Sequence, residues 1–249
     1  MHIPPHEAAK EIEYYFTDLA NPKLAAKFQS FYKIGEYHAL GITAPVVRSL
    51  SSKTFRKIVN SDRSQILDAC DHLAGMGPME YKTVAFDWVR RLKPKLDENN
   101  FALLEDWVQT KLTNWSDCDD LCTHALGELL LRQPHLLKQV KPWSRSGNWV
   151  VRRASAVALI HGARKGHFLN ETLTVSKQLL NDKEDLVLKG YGWLLKEASR
   201  MFPQEILEFV KTHQAKMPRV ALRFAIEKYP KEVRQEILSP VNMPVDEVS

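Results

Sequence analysis

Cysteine is scarce in this chain, with only Cys70, Cys118 and Cys122 among 249 residues. Three thiols cannot all pair within one chain, so a disulfide framework is excluded and a reducing compartment is expected. Cys118 and Cys122 lie one helical turn apart with His124 close by, but no second Cys/His pair stands at a spacing that completes four ligands. The thiols are therefore read as small buried hydrophobes, and no metal is expected. Long apolar runs are missing too. No stretch approaches the roughly 18 apolar residues of a membrane span. The amino-terminal segment, with Glu7, Glu11 and Glu13 and no apolar core, does not read as a signal peptide. No helix pairs a basic face with a bare apolar one, so a membrane-surface role is not expected either, and the location is read as cytoplasmic. The excess of charge is small, at +5 with a pI near 9.0, and favours an anionic partner over a cationic one, with nucleic acid foremost.

Apolar residues, by contrast, recur at helical spacing nearly everywhere. Leu103, Leu104, Trp107, Val108 and Leu112 form one such set, and Leu126, Leu129, Leu130, Leu137 and Val140 another. Strand-like alternation is almost absent. Pro134, Pro142, Pro203, Pro218 and Pro230 divide the chain into single-helix segments. The segments 148–160, 185–199 and 218–229 each open with a polar residue or proline, then carry a basic residue, small residues and an apolar run. Ala154, Ser155, Ala156, Gly190 and Gly192 are small enough to let neighbouring helices approach closely. Because an amphipathic helix pair cannot bury its stripe alone, stacked pairs follow. The expected fold is all-α, a curved α-solenoid of HEAT-like two-helix repeats. The alternative is an irregular helical bundle. With 44% hydrophobic and 26% charged residues, one ordered domain over 1–249 is expected, with loose tails at about 1–6 and 239–249.

Within that frame, large aromatics, a carboxylate and a guanidinium recur at a nearly fixed interval. Trp115 precedes Arg152 by 37 residues, and Arg152 precedes Trp193 by 41, close to the roughly 40-residue period of HEAT-type repeats. Equivalent positions of successive repeats line one surface. Trp115 and Asp119, four apart, share a helix face, whereas Asp117 and Asp120 are expected to point elsewhere. Ser116 and Asp117 also suit a helix cap, so part of the acidic cluster has a structural reading. Trp149 and Arg152 sit on the next repeat beside Arg153. Together with Arg145, Lys189 and Lys196 these cations suit a phosphate backbone, and equally suit ordinary solvated helix faces. Trp115 and Trp193 flank a cavity on the functional reading and fill a core on the structural one. A ligand that wants aromatic faces, one carboxylate and a phosphate-binding rim is a purine alkylated on a ring nitrogen. Its positive charge is attracted to an indole face. Since the charged base leaves as a neutral molecule, one carboxylate suffices where ordinary glycoside hydrolysis uses two.

At these residues the chain resembles the DNA alkylation repair family, AlkD-like DNA glycosylases built from HEAT-like repeats. The resemblance runs from about residue 10 to 235. It is carried by Asn-Trp-Ser-Asp-Cys-Asp-Asp at 114–120, Asn-Trp-Val-Val-Arg-Arg-Ala at 148–154 and Lys-Gly-Tyr-Gly-Trp-Leu-Leu-Lys-Glu at 189–197, with Ala-Leu-Gly-Ile-Thr-Ala-Pro at 39–45 in support. It implies that Asp119 is the catalytic carboxylate, that Trp115 and Trp193 contact the damaged nucleotide, and that Arg152 holds the backbone near the lesion. Tyr32, nine residues before Gly41, falls where the family places another aromatic near the DNA. Arg153, Trp149 and Lys189 complete the expected DNA contacts. The family favours positively charged 3- and 7-alkylpurines in duplex DNA, works without metal or organic cofactor, and does without the deep base pocket of most base-flipping enzymes. A monomer at the nucleoid is expected if the source is bacterial. Two departures stand out: Asn114 replaces a second aromatic beside Trp115, and Val46-Val47 replace a more polar, basic pair before Arg48. The two readings carried forward are a monofunctional glycosylase of base excision repair and a catalytically inactive HEAT-like scaffold or DNA-structure binder.

Overall fold

The computed structural model describes residues 2–32, 37–92 and 96–239; the expected carboxyl-terminal tail therefore lies, from residue 240 onward, outside the described residues. The fold is all-α, with no strand among the described residues. The chain divides into two compact units, Met1–Val140 and Lys141–Ser249. No helix of the described residues is long and apolar enough to cross a membrane.

The first unit comprises α1 (Pro5–Leu19), α2 (Pro22–Gln29), α3 (Ala44–Ile58), α4 (Arg63–Gly75), α5 (Met79–Leu92), α6 (Phe101–Thr110), α7 (Trp115–Leu121), α8 (Gly127–Arg132) and α9 (Leu137–Val140). Prolines and asparagines set many of the starts. Pro5, Pro22 and Pro45 occupy first-turn positions, where a missing N–H costs nothing. Asn21, Asp62 and Asn114 accept hydrogen bonds from the first-turn backbone of α2, α4 and α7. Between α7 and α8 the helix does not break but widens into a π turn at Cys122–Leu126. Helix α5 is the centre of the unit and packs against α3, α4 and α7. Tyr81, Val84, Ala85, Phe86, Trp88 and Val89 are buried on it, and so are the polar Glu80, Lys82 and Asp87. All three cysteines are buried, as small hydrophobes should be.

The second unit comprises α10 (Trp149–Val157), α11 (Ile160–Ala163), α12 (Leu169–Leu179), α13 (Asp185–Ala198), α14 (Pro203–His213), α15 (Arg219–Ala225) and α16 (Lys231–Leu238). Here α13 is central, packed against α10, α11, α12 and α15. The small residues do what their size predicts. A Cβ on Gly192 would come within 2.8 Å of Phe224 Cβ and 2.9 Å of the Ala221 carbonyl oxygen, so glycine sets the approach of α13 to α15. Prolines again open helices: Pro203 is the first residue of α14, and Pro218 and Pro230 precede α15 and α16. The repeated Asn-Trp pair has a structural meaning as well. In both copies the asparagine caps a helix whose first residue is the tryptophan, Asn114 for α7 and Asn148 for α10.

Candidate functional site

The first unit holds a cavity of about 810 Å³ walled by parts of α2, α3, α5, α7, the π turn and the segments around Tyr32 and Tyr37. Its aromatic wall is a pile of three rings. Tyr37 and Tyr32 stack with centroids 3.7 Å apart and an interplanar angle of 12°. Trp115 continues the pile at 5.5 Å and 17° from Tyr32. Tyr37 is buried, and that burial, followed by the neighbouring Tyr32 and Glu80, pushes its phenol far above the ordinary tyrosine value. Trp115, at the other end, is 38% exposed and lines the cavity. Phe31 extends the aromatic rim into solvent.

What holds this wall is the turn before α3. Gly41 has φ +81°, and a Cβ there would lie 2.2 Å from the Asn21 carbonyl oxygen, so no other residue fits without rebuilding the turn. The backbone N–H groups of Leu40, Gly41 and Ile42 all donate to the Glu80 carboxylate, at 2.9, 2.9 and 3.1 Å. A buried carboxylate on α5 thereby pins the loop that carries Tyr37.

The acidic wall comes from α7. Asp119 is half-buried and lines the cavity one turn beyond Trp115; Thr123 Oγ1 donates to its backbone carbonyl at 2.6 Å. Asp117 and Asp120, expected to point elsewhere, line the same cavity. At about 100° per residue, the lining positions from 115 to 120 wrap more than half of the helix circumference, wider than the single stripe that four-residue spacing suggests. The neighbours are nevertheless differently committed. Asp117 is buried and receives Lys82 Nζ and Asn114 Nδ2, both at 3.0 Å. Burial pushes the Asp117 carboxyl up, and the Lys82 ammonium opposes that rise. Asp87 accepts from Ser51, Arg90 and Arg91 at 2.6, 2.7 and 2.9 Å. Burial alone would raise it, but these donors hold it below the ordinary carboxylate range. Asp120 pairs with His124, Oδ1 to Nδ1 at 3.2 Å. The cap of α7 is Asn114, which accepts from the N–H of Ser116 and of Asp117 at 3.0 Å each. The asparagine beside Trp115 thus has a structural role of its own. No group of three His, Cys, Asp or Glu side chains suited to a metal occurs among the described residues.

Trp115, Asp119 and Tyr32 thus come together. The other expected site residues belong to the second unit. Arg152 forms a two-pronged pair with Asp182, Nε to Oδ2 at 2.6 Å and Nη2 to Oδ1 at 3.1 Å, and Nη1 donates to the carbonyls of Ser146 and Gly147. Burial would raise the Asp182 carboxyl, but the Arg152 hydrogen bonds hold it below its usual range. Arg153 departs from its expected role at the DNA. It is 5% exposed, lies against Gly190, and donates to the Leu186 carbonyl, because at this position of α10 the side chain faces α13. Trp193 is half-buried; its Nε1 donates to Glu197 at 3.3 Å, and Arg164 lies over its ring at 5.7 Å. Lys189 pairs with Asp185 at 2.5 Å, and Trp149 is half-buried at the start of α10. Sequence reasoning did not single out Tyr37, Glu80 or Arg90. Their spacing follows no helical period, so no pattern marks them.

The family described as DNA alkylation repair enzyme matches residues 12–229. No match is found among curated proteins. Among solved structures, the chain is similar to a predicted DNA alkylation repair enzyme from Enterococcus faecalis, with TM-score 0.75 and 19% identity over 85% of this chain and 97% of that one. It is also similar to smu.31 from Streptococcus mutans UA159, with TM-score 0.56 and 18% identity over 75% of this chain and 96% of that one. At such identities the likeness speaks to the fold. The family match spans most of the chain, and on it the conclusion rests: this chain belongs to the DNA alkylation repair enzyme family.

Proposed function

We propose that the chain is a monofunctional DNA glycosylase that hydrolyses the N-glycosidic bond of positively charged 3- and 7-alkylpurines in duplex DNA, acting as a monomer in base excision repair. The observation that carries this reading is the meeting of the Tyr32–Trp115 stack and Asp119 on one cavity. An indole face attracts a cation by roughly 0.5–2 kcal/mol, and a carboxylate beside it favours the same charge. The chemistry needs little more. The bond between sugar C1′ and the purine nitrogen breaks, and its electron pair neutralises the charged ring. Asp119 stabilises the oxocarbenium left on the sugar and orients the water that adds its oxygen to C1′. The water's proton passes to the carboxylate or to solvent, and the products are a neutral alkylated base and an abasic site. No metal or organic cofactor is invoked. On the second unit, Trp193, Arg152, Trp149 and Lys189 are assigned to DNA contact on the family resemblance, whereas Arg153 is not.

The test is release of free 7-methylguanine from methylated duplex DNA by the purified chain. Asp119→Asn is expected to slow release by on the order of 10²–10³-fold while DNA binding stays near that of the parent, since removing one well-placed electrostatic group has about that effect. One observation favours the inactive reading. The Arg152 guanidinium is already engaged by Asp182 and two carbonyls of its own unit. Binding of DNA without any base release would select that reading instead.

A further inference from the structure

The cavity has a second chemical face that the glycosylase reading does not use. Beyond the aromatic and acidic walls, three cationic side chains line it: Arg48 of α3, Arg90 of α5 and His124 of the π turn. Arg48 is exposed to solvent. Arg90 spends one Nη2 contact on Asp87 and remains 45% exposed along its side chain. His124 is held by its Nδ1, 2.8 Å from the Asp120 carbonyl oxygen and 3.2 Å from the Asp120 carboxylate. A backbone carbonyl only accepts, so Nδ1 carries hydrogen and Nε2 is the atom that gains or loses the proton. The Arg90 guanidinium disfavours the charge on His124, an opposition that an anion bound beside both relieves. A damaged nucleotide carries a cationic base and anionic phosphates, and this lining answers both.

We propose that Arg48, Arg90 and protonated His124 form a phosphodiester-binding rim on the Trp115 cavity, holding a backbone phosphate of the nucleotide whose base lies on Trp115. The inference rests on the glycosylase reading for its ligand, though not for its test. The charged groups that line the cavity with His124 are Asp117, Asp119 and Asp120 on the helix leading into the π turn, Glu80, Asp87 and Arg90 on α5, and Arg48 on α3; Glu80, Asp87, Asp117 and Asp120 each already hold a donor. The Asp120 hydrogen bond raises the imidazole above its ordinary value, against a smaller opposing effect of burial. The rim is therefore complete at mildly acidic pH and loses one charge as pH rises through that raised value.

The experiment is an anisotropy titration of the full chain with a duplex bearing a tetrahydrofuran abasic analogue, which presents phosphates but no base. At about pH 6, His124→Gln and Arg48→Gln should each weaken binding by about 5- to 10-fold and reduce the slope of log affinity against log salt by about 1. Raising the pH to about 9 should weaken the parent and leave His124→Gln almost unchanged; thermal unfolding checks that each variant is folded. Folded variants with the parental slope and pH response would overturn the rim, whatever the outcome of the base-release assay. If the rim effects appear but no 7-methylguanine is released, the rim stands and the glycosylase reading fails.

Discussion

Two sets of charged residues behave differently in this molecule. Around α5 and α7, buried polar groups pair with one another beside an open cavity; Glu80 takes three backbone N–H groups, Lys82 meets Asp117, and Trp115 stays exposed. Around α10 and α13, the cations that spacing marks as DNA contacts are turned back on their own unit: Arg152 to Asp182, Arg153 to Leu186, Lys189 to Asp185. A repeat period identifies which positions correspond. It does not say whether a guanidinium at such a position meets a ligand or a neighbouring carboxylate, because both satisfy the same donors.

The sharpest way to break this comparison is to unbalance the first set. Lys82→Met leaves the Asp117 carboxylate buried without its ammonium, and should lower stability by about 3–5 kcal/mol in chemical denaturation. Adding Asp117→Asn should recover part of the loss. A neutral Lys82→Met would mean that the pair is not the anchor of α7 against α5. A smaller effect is expected in the second unit. Arg152→Ala removes the two-pronged pair and two carbonyl contacts, and should cost about 1–3 kcal/mol, read locally as faster amide exchange around 146–148 and 182–184. If DNA binding falls while exchange is unchanged, Arg152 is a ligand arginine and the contrast dissolves. Acid should act in the same direction. The Asp182 carboxyl is held low when folded, so its pair stabilises at pH above the unfolded value of about 4. That contribution disappears as pH falls through the lowered folded value, and the difference between parent and Arg152→Ala should shrink with it. The least effect belongs to Lys189→Ala, an exposed pair with Asp185, expected to change stability by no more than about 0.5 kcal/mol.

Much of the fold is legible in the sequence because helical period and small residues are direct consequences of packing. Gly192 is a glycine since Phe224 and Ala221 leave no room for a Cβ. The meeting of Trp115 with Asp119 follows from their spacing on one helix. Other features leave no mark. Asp117 and Asp120 fall outside an ideal stripe, yet the cavity wraps more than half of the circumference at the beginning of α7. Arg153 reads like Arg152 in sequence, and only the position of α13 decides that one is buried and the other keeps 18% of its side chain exposed. The segment 39–45 reads as a minor support of the family resemblance, but Gly41 and the three N–H groups given to Glu80 make it the hinge of the aromatic wall.

That last arrangement bears on how the protein can grip a polyanion. Three consecutive amides pointing the same way are a ready cradle for a phosphate oxygen, and the chain has filled this one with a carboxylate of its own. An anion arriving at the cavity finds these three amides already taken by Glu80. On the proposed reading, the phosphates of DNA are left to side chains that can be exchanged one at a time, without dismantling the turn that keeps Tyr37 beneath Tyr32.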